Sequence, residues 1–219
     1  MYDLIKNDKF KRSVFLVLTE LVVLLLLPLP FLKLNILYVV LAVIIMLLSR
    51  YLMKEKWSDY GFKPIKLNAL LIAVVIGIIY GIVDNFFIER LITKLCGLKP
   101  DLSTCESIKG NTGRLIAMLG IGWFIGGFFE EMFFRGYLYN RFQSVIHNPV
   151  LFKYTAILIT SIVFAFAHTY QGLSGIIDTG LFAVVMGLLY FAFGKNVWYI
   201  MIIHCMFDTV GIIRLYLGY

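Results

Sequence analysis

The sequence predicts an all-α protein, a polytopic membrane bundle of about seven transmembrane helices. Of its 219 residues, 61% are hydrophobic and 15% are charged, and the mean hydropathy is +0.89. These values exclude a soluble globular domain. Because a bilayer-spanning helix needs roughly 20 apolar residues, the length accommodates about six to eight spans and no separate soluble domain.

Hydropathy and helix-breaking residues give the order of the spans. The apolar run after the basic N-terminus imitates a signal peptide, but it lacks a small-x-small cleavage site and is therefore counted as the first span. The predicted spans cover residues 13–31, 34–53, 66–88, 114–143, 153–169, 179–193 and 196–217.

The charges indicate topology rather than a nucleic-acid partner. The chain has 20 Lys and Arg against 13 Asp and Glu, and the basic residues lie between the apolar runs. An internal N-terminus puts 13 of them on the cytoplasmic side and 7 outside. We therefore predict an integral protein of the cell membrane with a cytoplasmic N-terminus, an external loop at 89–114 and an active-site opening near the cytoplasmic leaflet.

The three cysteines are too few for a disulfide scaffold and include no Cys-x-x-Cys pair. Cys96 and Cys105 share one predicted loop, where they would pair only on an oxidising side of the membrane. The cysteines thus indicate neither structural zinc nor a redox motif.

Gly-x-x-x-Gly occurs twice, at Gly77/Gly81 and at Gly122/Gly126, where Gly127 extends it. Small residues one turn apart let two membrane helices approach closely. We interpret Gly77 and Gly81 as ordinary packing residues.

The segment GGFFEEMFFRG, residues 126–136, places three charged side chains in an apolar run. A charge at mid-bilayer costs roughly 3 kcal/mol on insertion scales, so each one needs a partner, a cavity or a function. Glu131 and Arg135 are four residues apart with the acid first, the favoured order for a helical ion pair. Glu130 points about 100° away, with Phe134 at the same spacing. The pattern predicts that Arg135 neutralises Glu131 and leaves Glu130 as a proton acceptor.

Two later spans carry histidines. His168 shares a helix face with Phe164, and His204 shares one with Asp208, in both cases at a spacing of four residues. Taken singly, an intramembrane histidine is more often a helix-to-helix hydrogen bond than a catalyst, and His204 with Asp208 is a satisfied polar pair. Their relative depth in the bundle decides between these interpretations.

Helix lengths bring Glu130 and His168 to one level. Fourteen residues separate Glu130 from Ser144, and fourteen separate Tyr154 from His168. Both side chains therefore lie roughly 21 Å from the turn at 147–149. We predict that Glu130 and His168 meet in the folded protein.

His204 lies only about 12 Å from its own turn at Asn196. To reach the level of Glu130 and His168, its helix must be displaced along the bundle. The stretch YQGLSGIIDTG, residues 170–180, is rich in small residues. We expect it to be non-helical, which would shorten and displace the sixth span. Irregular backbone at this depth lines a cavity or is buried in protein.

Three motifs thus follow in order on successive apolar helices: Glu130-Glu131-x-x-x-Arg135, Phe164-x-x-x-His168 and His204-x-x-x-Asp208. Together they resemble the CAAX-protease and bacteriocin-processing family, also called the ABI family of intramembrane endopeptidases. WSDYGF at 57–62 is similar to a short segment that often precedes the core in bacterial members. The resemblance divides the chain into N-terminal membrane helices and connectors, 1–113, and a catalytic helical core, 114–219.

The resemblance implies that Glu130 activates a water together with His168, and that His204 and its partner stabilise the oxyanion. Glu131 counts among the catalytic residues, with Arg135 and Phe164 as structural support. Asp208 stands where prenyl-protein endopeptidases commonly have Asn. Because an ionised Asp donates no hydrogen bond, Asp208 either stays protonated or orients His204.

No cofactor is expected. Zinc held by Glu130, His168 and His204 is the alternative, since catalytic zinc takes three protein ligands and a water. Against zinc, the chain has no His-Glu-x-x-His pair, and Glu131 is engaged by Arg135. A metal-free glutamate mechanism is therefore favoured.

The expected function is intramembrane endopeptidase activity on a membrane-embedded or lipidated peptide, of CAAX type or a bacteriocin leader. The alternative is a non-catalytic bacteriocin self-immunity or binding protein, which would be expected to lose motif residues, whereas the core ones are all present. A proton-coupled carrier would more often show two related halves, and none is visible.

Overall fold

The structure, a computed structural model, describes residues 16–30 and 37–219, and these residues are mostly helical, with no strand among them. The predicted all-α class is confirmed. The helices are α1 Leu16–Leu26, α2 Leu37–Met53, α3 Leu67–Cys96, α4 Thr112–Val145, α5 Pro149–Ala167, α6 Gly172–Ala192 and α7 Val197–Leu217.

Five of these helices, α3 to α7, are long and apolar enough to cross a membrane. α1 and α2 are apolar but shorter over the described residues, so the predicted number of about seven spans is not confirmed. The first two predicted spans also include residues 13–15, 31 and 34–36, which lie outside the described residues.

Three helices begin at an asparagine that caps them. The side-chain oxygens of Asn111, Asn148 and Asn196 accept hydrogen bonds from backbone N–H groups of the first turns of α4, α5 and α7. These bonds satisfy N–H groups that have no partner within the helix. Pro149 follows Asn148 at the first helical position, where its missing N–H costs nothing.

The predicted irregular stretch at 170–180 is wrong. Only Thr169–Gln171 departs from the α-helix, as a single 3₁₀ turn, and α6 runs regularly from Gly172 to Ala192. Ser174 is fully buried, and a Cβ on Gly180 would lie 3.2 Å from the Cβ of Ala165 on α5. The small residues therefore serve close packing rather than a break in the helix.

Both glycine motifs pack against α7. A Cβ on Gly77 of α3 would lie 2.6 Å from the Ile203 carbonyl oxygen, and one on Gly127 of α4 would overlap Cys205 Sγ. The packing role predicted for Gly77 is confirmed. α7 is thus held between α3 and α4 at a separation that only glycine allows.

Arg141 ties α4 to the N-terminal helices. Its guanidinium donates to both carboxylate oxygens of Glu55, at 2.6 and 2.7 Å, and to Glu20 at 2.9 Å. Burial alone would raise the pKa of Glu55, but the hydrogen bonds from Arg141 and Tyr60 outweigh it and hold the pKa below its usual range. Glu20 also accepts a hydrogen bond from Tyr137.

Candidate active site

A cavity of about 360 Å³ lies among α3, α4, α5, α6 and α7. Four of the five residues that the sequence identifies as catalytic line it: Glu130, His168, His204 and Asp208. Glu131, the fifth, is fully buried behind this wall.

Glu130 and His168 lie at one level, as the helix lengths predict. The rings of Phe134 and Phe164 contact each other, with centroids 5.2 Å apart. Glu130 comes four residues before Phe134, and His168 comes four residues after Phe164. Because α4 and α5 are antiparallel, both steps lead in the same direction along the bundle. Both side chains then reach the cavity.

His168 is fixed by the helix that it ends. Its Nδ1 lies 2.8 Å from the backbone oxygen of Phe164, and its ring lies tilted against the Phe164 ring, with centroids 4.6 Å apart. Because a carbonyl oxygen only accepts, Nδ1 carries the proton and Nε2 of the neutral ring is an acceptor. Phe164 thus supports the site both through its backbone and through its ring.

Glu131 binds two partners through the same oxygen. Oε1 accepts from Arg135 Nη1 at 3.0 Å and from His204 Nδ1 at 2.7 Å. Arg135 also donates to the Ala183 carbonyl oxygen at 2.9 Å. The predicted Glu131–Arg135 pair is present, and this pair sets the orientation of the His204 ring.

Asp208 lies on the other side of His204, with Oδ1 3.6 Å from Nε2. Glycine makes room for it, because a Cβ on Gly126 would lie 2.7 Å from Asp208 Oδ2 and 3.2 Å from His204 Nε2. The second glycine motif therefore sets the separation of the helices and also leaves space at the site.

Glu130 is only 8% exposed, yet among the described residues it has no hydrogen-bond or ion-pair partner. This contrasts with Glu131 one position away. Two π-helical segments of α4, Gly122–Glu130 and Met132–Leu138, flank Glu131. Such segments are frequent at functional sites.

The donor set does not fit a zinc site. Among residues 16–30 and 37–219, no three His, Cys, Asp or Glu side chains are placed to hold one metal ion. Glu131 and His204 bind each other rather than a common centre.

The cavity lies at the end of the bundle where α3 and α4 are joined. Pro100 and Leu102 of that connection line it, together with Gln171 before α6 and Leu215 near the end of α7. The connection between α2 and α3 lies at the opposite end. The prediction of an external 89–114 loop and the prediction of a cytoplasmic opening therefore cannot both hold.

Three further side chains of the site escaped the sequence reasoning. Phe182 packs its edge on the His204 ring, with centroids 4.7 Å apart. Asp84 and Asp178 line the same cavity, and Asp84 is 4% exposed. Their signal in the sequence was the rarity of a carboxylate within an apolar run.

Comparison with known proteins bears on this constellation. Residues 112–210 match the family model of the Type II CAAX prenyl endopeptidase Rce1-like proteins, and no curated protein or solved structure matches the chain. Together with the five apolar helices, the match indicates an integral membrane protein of a protease family. The predicted family resemblance is confirmed, because residues 112–210 match the family model of the Rce1-like CAAX prenyl endopeptidases.

Proposed function

We propose that this protein is a glutamate-dependent intramembrane endopeptidase in which Glu130 activates a water for attack on a peptide bond. The observation that carries the proposal is the unpartnered carboxylate of Glu130 on a cavity wall shared with His168 and His204. Peptide hydrolysis requires a base for the water and donors for the oxyanion, and these residues supply both.

In the proposed reaction Glu130 takes one proton from the water while the oxygen of that water attacks the carbonyl carbon of the peptide bond. His168 Nε2 accepts the second hydrogen of that water as a hydrogen bond, since its Nδ1 proton is held by the Phe164 carbonyl oxygen. Glu130 then returns its proton to the leaving nitrogen, so that one water and one amide become a carboxylic acid and an amine. Proton transfer by a positioned side chain contributes roughly 10²–10⁴-fold.

His204 stabilises the oxyanion through Nε2. Because Nδ1 donates to Glu131, a donor at Nε2 requires the ring to carry a second proton. The carboxylates of Glu131 and Asp208 on either side of the ring favour that state. Asp208 therefore acts as a counter-charge, which needs no hydrogen bond donated by its own side chain.

Glu131 and Arg135 are positioning residues in this scheme. Glu131 does not line the cavity, so its contribution passes through His204. Arg135 holds Glu131 in place and is itself anchored by the Ala183 carbonyl oxygen.

The substrate is a membrane-associated peptide, of CAAX type or a leader peptide. The cavity lies among the apolar helices α3 to α7, so we expect the scissile bond to enter it from the membrane or from the membrane surface. The binding of such a peptide without hydrolysis would characterise a self-immunity protein instead.

The test is hydrolysis of a fluorogenic single-span peptide library by the purified protein in nanodiscs. We expect turnover by the wild type and a loss of roughly 10²-fold or more in Glu130→Gln. Glu106→Gln, the same change at an exposed loop residue, is the control and should leave the rate unchanged. Equal rates for Glu130→Gln and the wild type would overturn the proposal.

A further inference from the structure

Another cavity, of about 200 Å³, lies at the end of the bundle opposite the candidate active site. Ser58, Asp59 and Gly61 of the WSDYGF segment form one wall of it. Side chains from the end of α4, the start of α5 and the region where α6 turns into α7 complete it. The proposed hydrolysis uses none of these residues.

The hydroxyl of Tyr190 lies on the wall of this cavity. Tyr190 is only 4% exposed, and a Cβ on Gly61 would lie 3.0 Å from its Oη. Both residues line the cavity. Among the residues that the structure describes, no group forms a hydrogen bond with this hydroxyl. A polar group this deeply placed normally has a partner, so its isolation points to one supplied from the cavity.

Two ammonium groups flank the hydroxyl. Lys63 Nζ donates to the Gly194 carbonyl oxygen at 2.7 Å, and Lys195 Nζ donates to Gln143 Oε1 at 3.1 Å. An ammonium group has three N–H donors, so two on each lysine are left for a ligand. Neither lysine forms an ion pair with any carboxylate in the described part of the chain.

The two lysines repel each other. Burial and the charge of Lys63 lower the pKa of Lys195, which places the two ammonium groups in one electrostatic field. The cavity also carries one carboxylate, that of Asp59, whose Oδ2 accepts from the Lys56 backbone N–H at 2.7 Å. Two ammonium groups against one carboxylate leave the cavity positive, and an anion between the lysines would offset their repulsion.

The cavity lies at the level of the membrane surface. Its lining residues belong to helix ends and to the connections between helices, and spanning helices end near the lipid headgroups. Trp57 of the WSDYGF segment is 42% exposed, and tryptophan is enriched at this level. The charge distribution predicts that this end is cytoplasmic, where basic pockets between helices bind anionic headgroups.

We propose that this cavity binds the phosphate group of an anionic phospholipid, held by Lys63, Lys195 and the Tyr190 hydroxyl. The lysines supply charge, and the hydroxyl donates to a phosphate oxygen. The site is independent of the proposed hydrolysis. Free phosphate presents the same chemistry, and the test separates the two sources.

The test compares dioleoyl-phosphatidylglycerol with dioleoyl-phosphatidylcholine, which have the same acyl chains. Native mass spectrometry of the full chain in detergent, titrated with each lipid, gives the affinity for the first bound molecule. We expect phosphatidylglycerol to bind about tenfold more tightly, because the lysines repel the positive charge of choline. Sodium phosphate, compared with sodium chloride at equal ionic strength, should not displace it.

Lys63→Gln and Lys195→Gln should each bring the ratio of the two affinities towards one. Lys56→Gln is the matched control, because Lys56 is an exposed residue of the same connection that does not line the cavity. Tyr190→Phe keeps the ring and removes only the hydroxyl. It should weaken phosphatidylglycerol binding several-fold and leave the Tm without lipid unchanged, since the hydroxyl has no partner among the described residues.

Equal affinities for the two lipids in the wild type, or a preference that both lysine variants retain, overturns the site. Displacement of phosphatidylglycerol by sodium phosphate would make the free ion the ligand and overturn the lipid. A lowered Tm of Tyr190→Phe with unchanged lipid affinity would assign the hydroxyl to the fold and overturn its part in binding.

Discussion

Glu131 Oε1 accepts a hydrogen bond from Nδ1 of His204 at 2.7 Å, across 73 residues of sequence. The same oxygen accepts from Arg135, so the EExxxR motif and the last histidine form one buried unit. Adjacent glutamates therefore have different surroundings: Glu131 is part of the scaffold of the site, and Glu130 faces the cavity.

Replacing Glu131 by Gln should lower stability as well as activity. Arg135 is 1% exposed, and a buried charge that loses its partner costs roughly 3 kcal/mol or more. Thermal unfolding in detergent should show a reduced Tm, whereas Glu130→Gln should unfold like the wild type. A double exchange, Glu131→Arg with Arg135→Glu, should regain some stability but no hydrolysis, because His204 would then face an arginine. A stable Glu131→Gln with full turnover would contradict this role.

Gly126→Ala should impair the site without unfolding the helix. The added methyl group would lie 2.7 Å from Asp208 Oδ2, so Asp208 and the His204 ring must shift. A displacement of about 1 Å costs on the order of 10²-fold in rate. Gly120→Ala on the same helix meets nothing within 4 Å and is the control for hydrolysis and Tm. Identical rates for the two variants would show that Asp208 needs no such space.

Hydrolysis should survive exhaustive chelation, because Glu131 is bound to Arg135 and His204 rather than available as a ligand. The purified protein is assayed on the same membrane peptide before and after chelation, then after zinc readdition. Loss of activity that zinc restores would make Glu130, His168 and His204 metal ligands instead.

Thiol labelling decides which side the cavity faces. The charge distribution predicts that Cys96 is external and that an Asp59→Cys side chain, at the opposite end of the bundle, is cytoplasmic. On intact cells an impermeant maleimide should modify Cys96 and spare position 59, in a background without Cys105 and Cys205. The cavity would then open towards the outside. Labelling at position 59 alone would reverse the orientation and place the opening at the cytoplasm.

Acid should weaken the contact between α4 and the connection after α2. The pKa of Glu55 is held below its usual range by Arg141 and Tyr60. The stabilisation that this contact gives to the folded protein is therefore complete above the ordinary glutamate pKa of about 4.3. The stabilisation is lost as the pH falls through the lower pKa that Glu55 has in the folded protein. Tm measured against pH should therefore fall more steeply below about pH 4.3 in the wild type than in Glu55→Gln. Parallel curves would show that the contact contributes no pH dependence.

The sequence by itself determined the helical membrane class, the pairing of Glu131 with Arg135 and the common level of Glu130 and His168. These features depend on composition and on fixed helical geometry, in which residues four apart share a face and 1.5 Å separates successive residues. Such relations act within one helix or across one tight turn, so they can be read before the chain is folded.

Only the tertiary structure decided the contacts between distant helices. His204 meets Glu131 because glycines on α4 let α7 approach, and Asp84 meets Asp178 because α3 and α6 share one cavity. The prediction that 170–180 is irregular failed for the same reason, since small residues break a helix in isolation but pack well in a bundle. Burial, and with it the partner of each charge, is a property of the assembled helices rather than of any one of them.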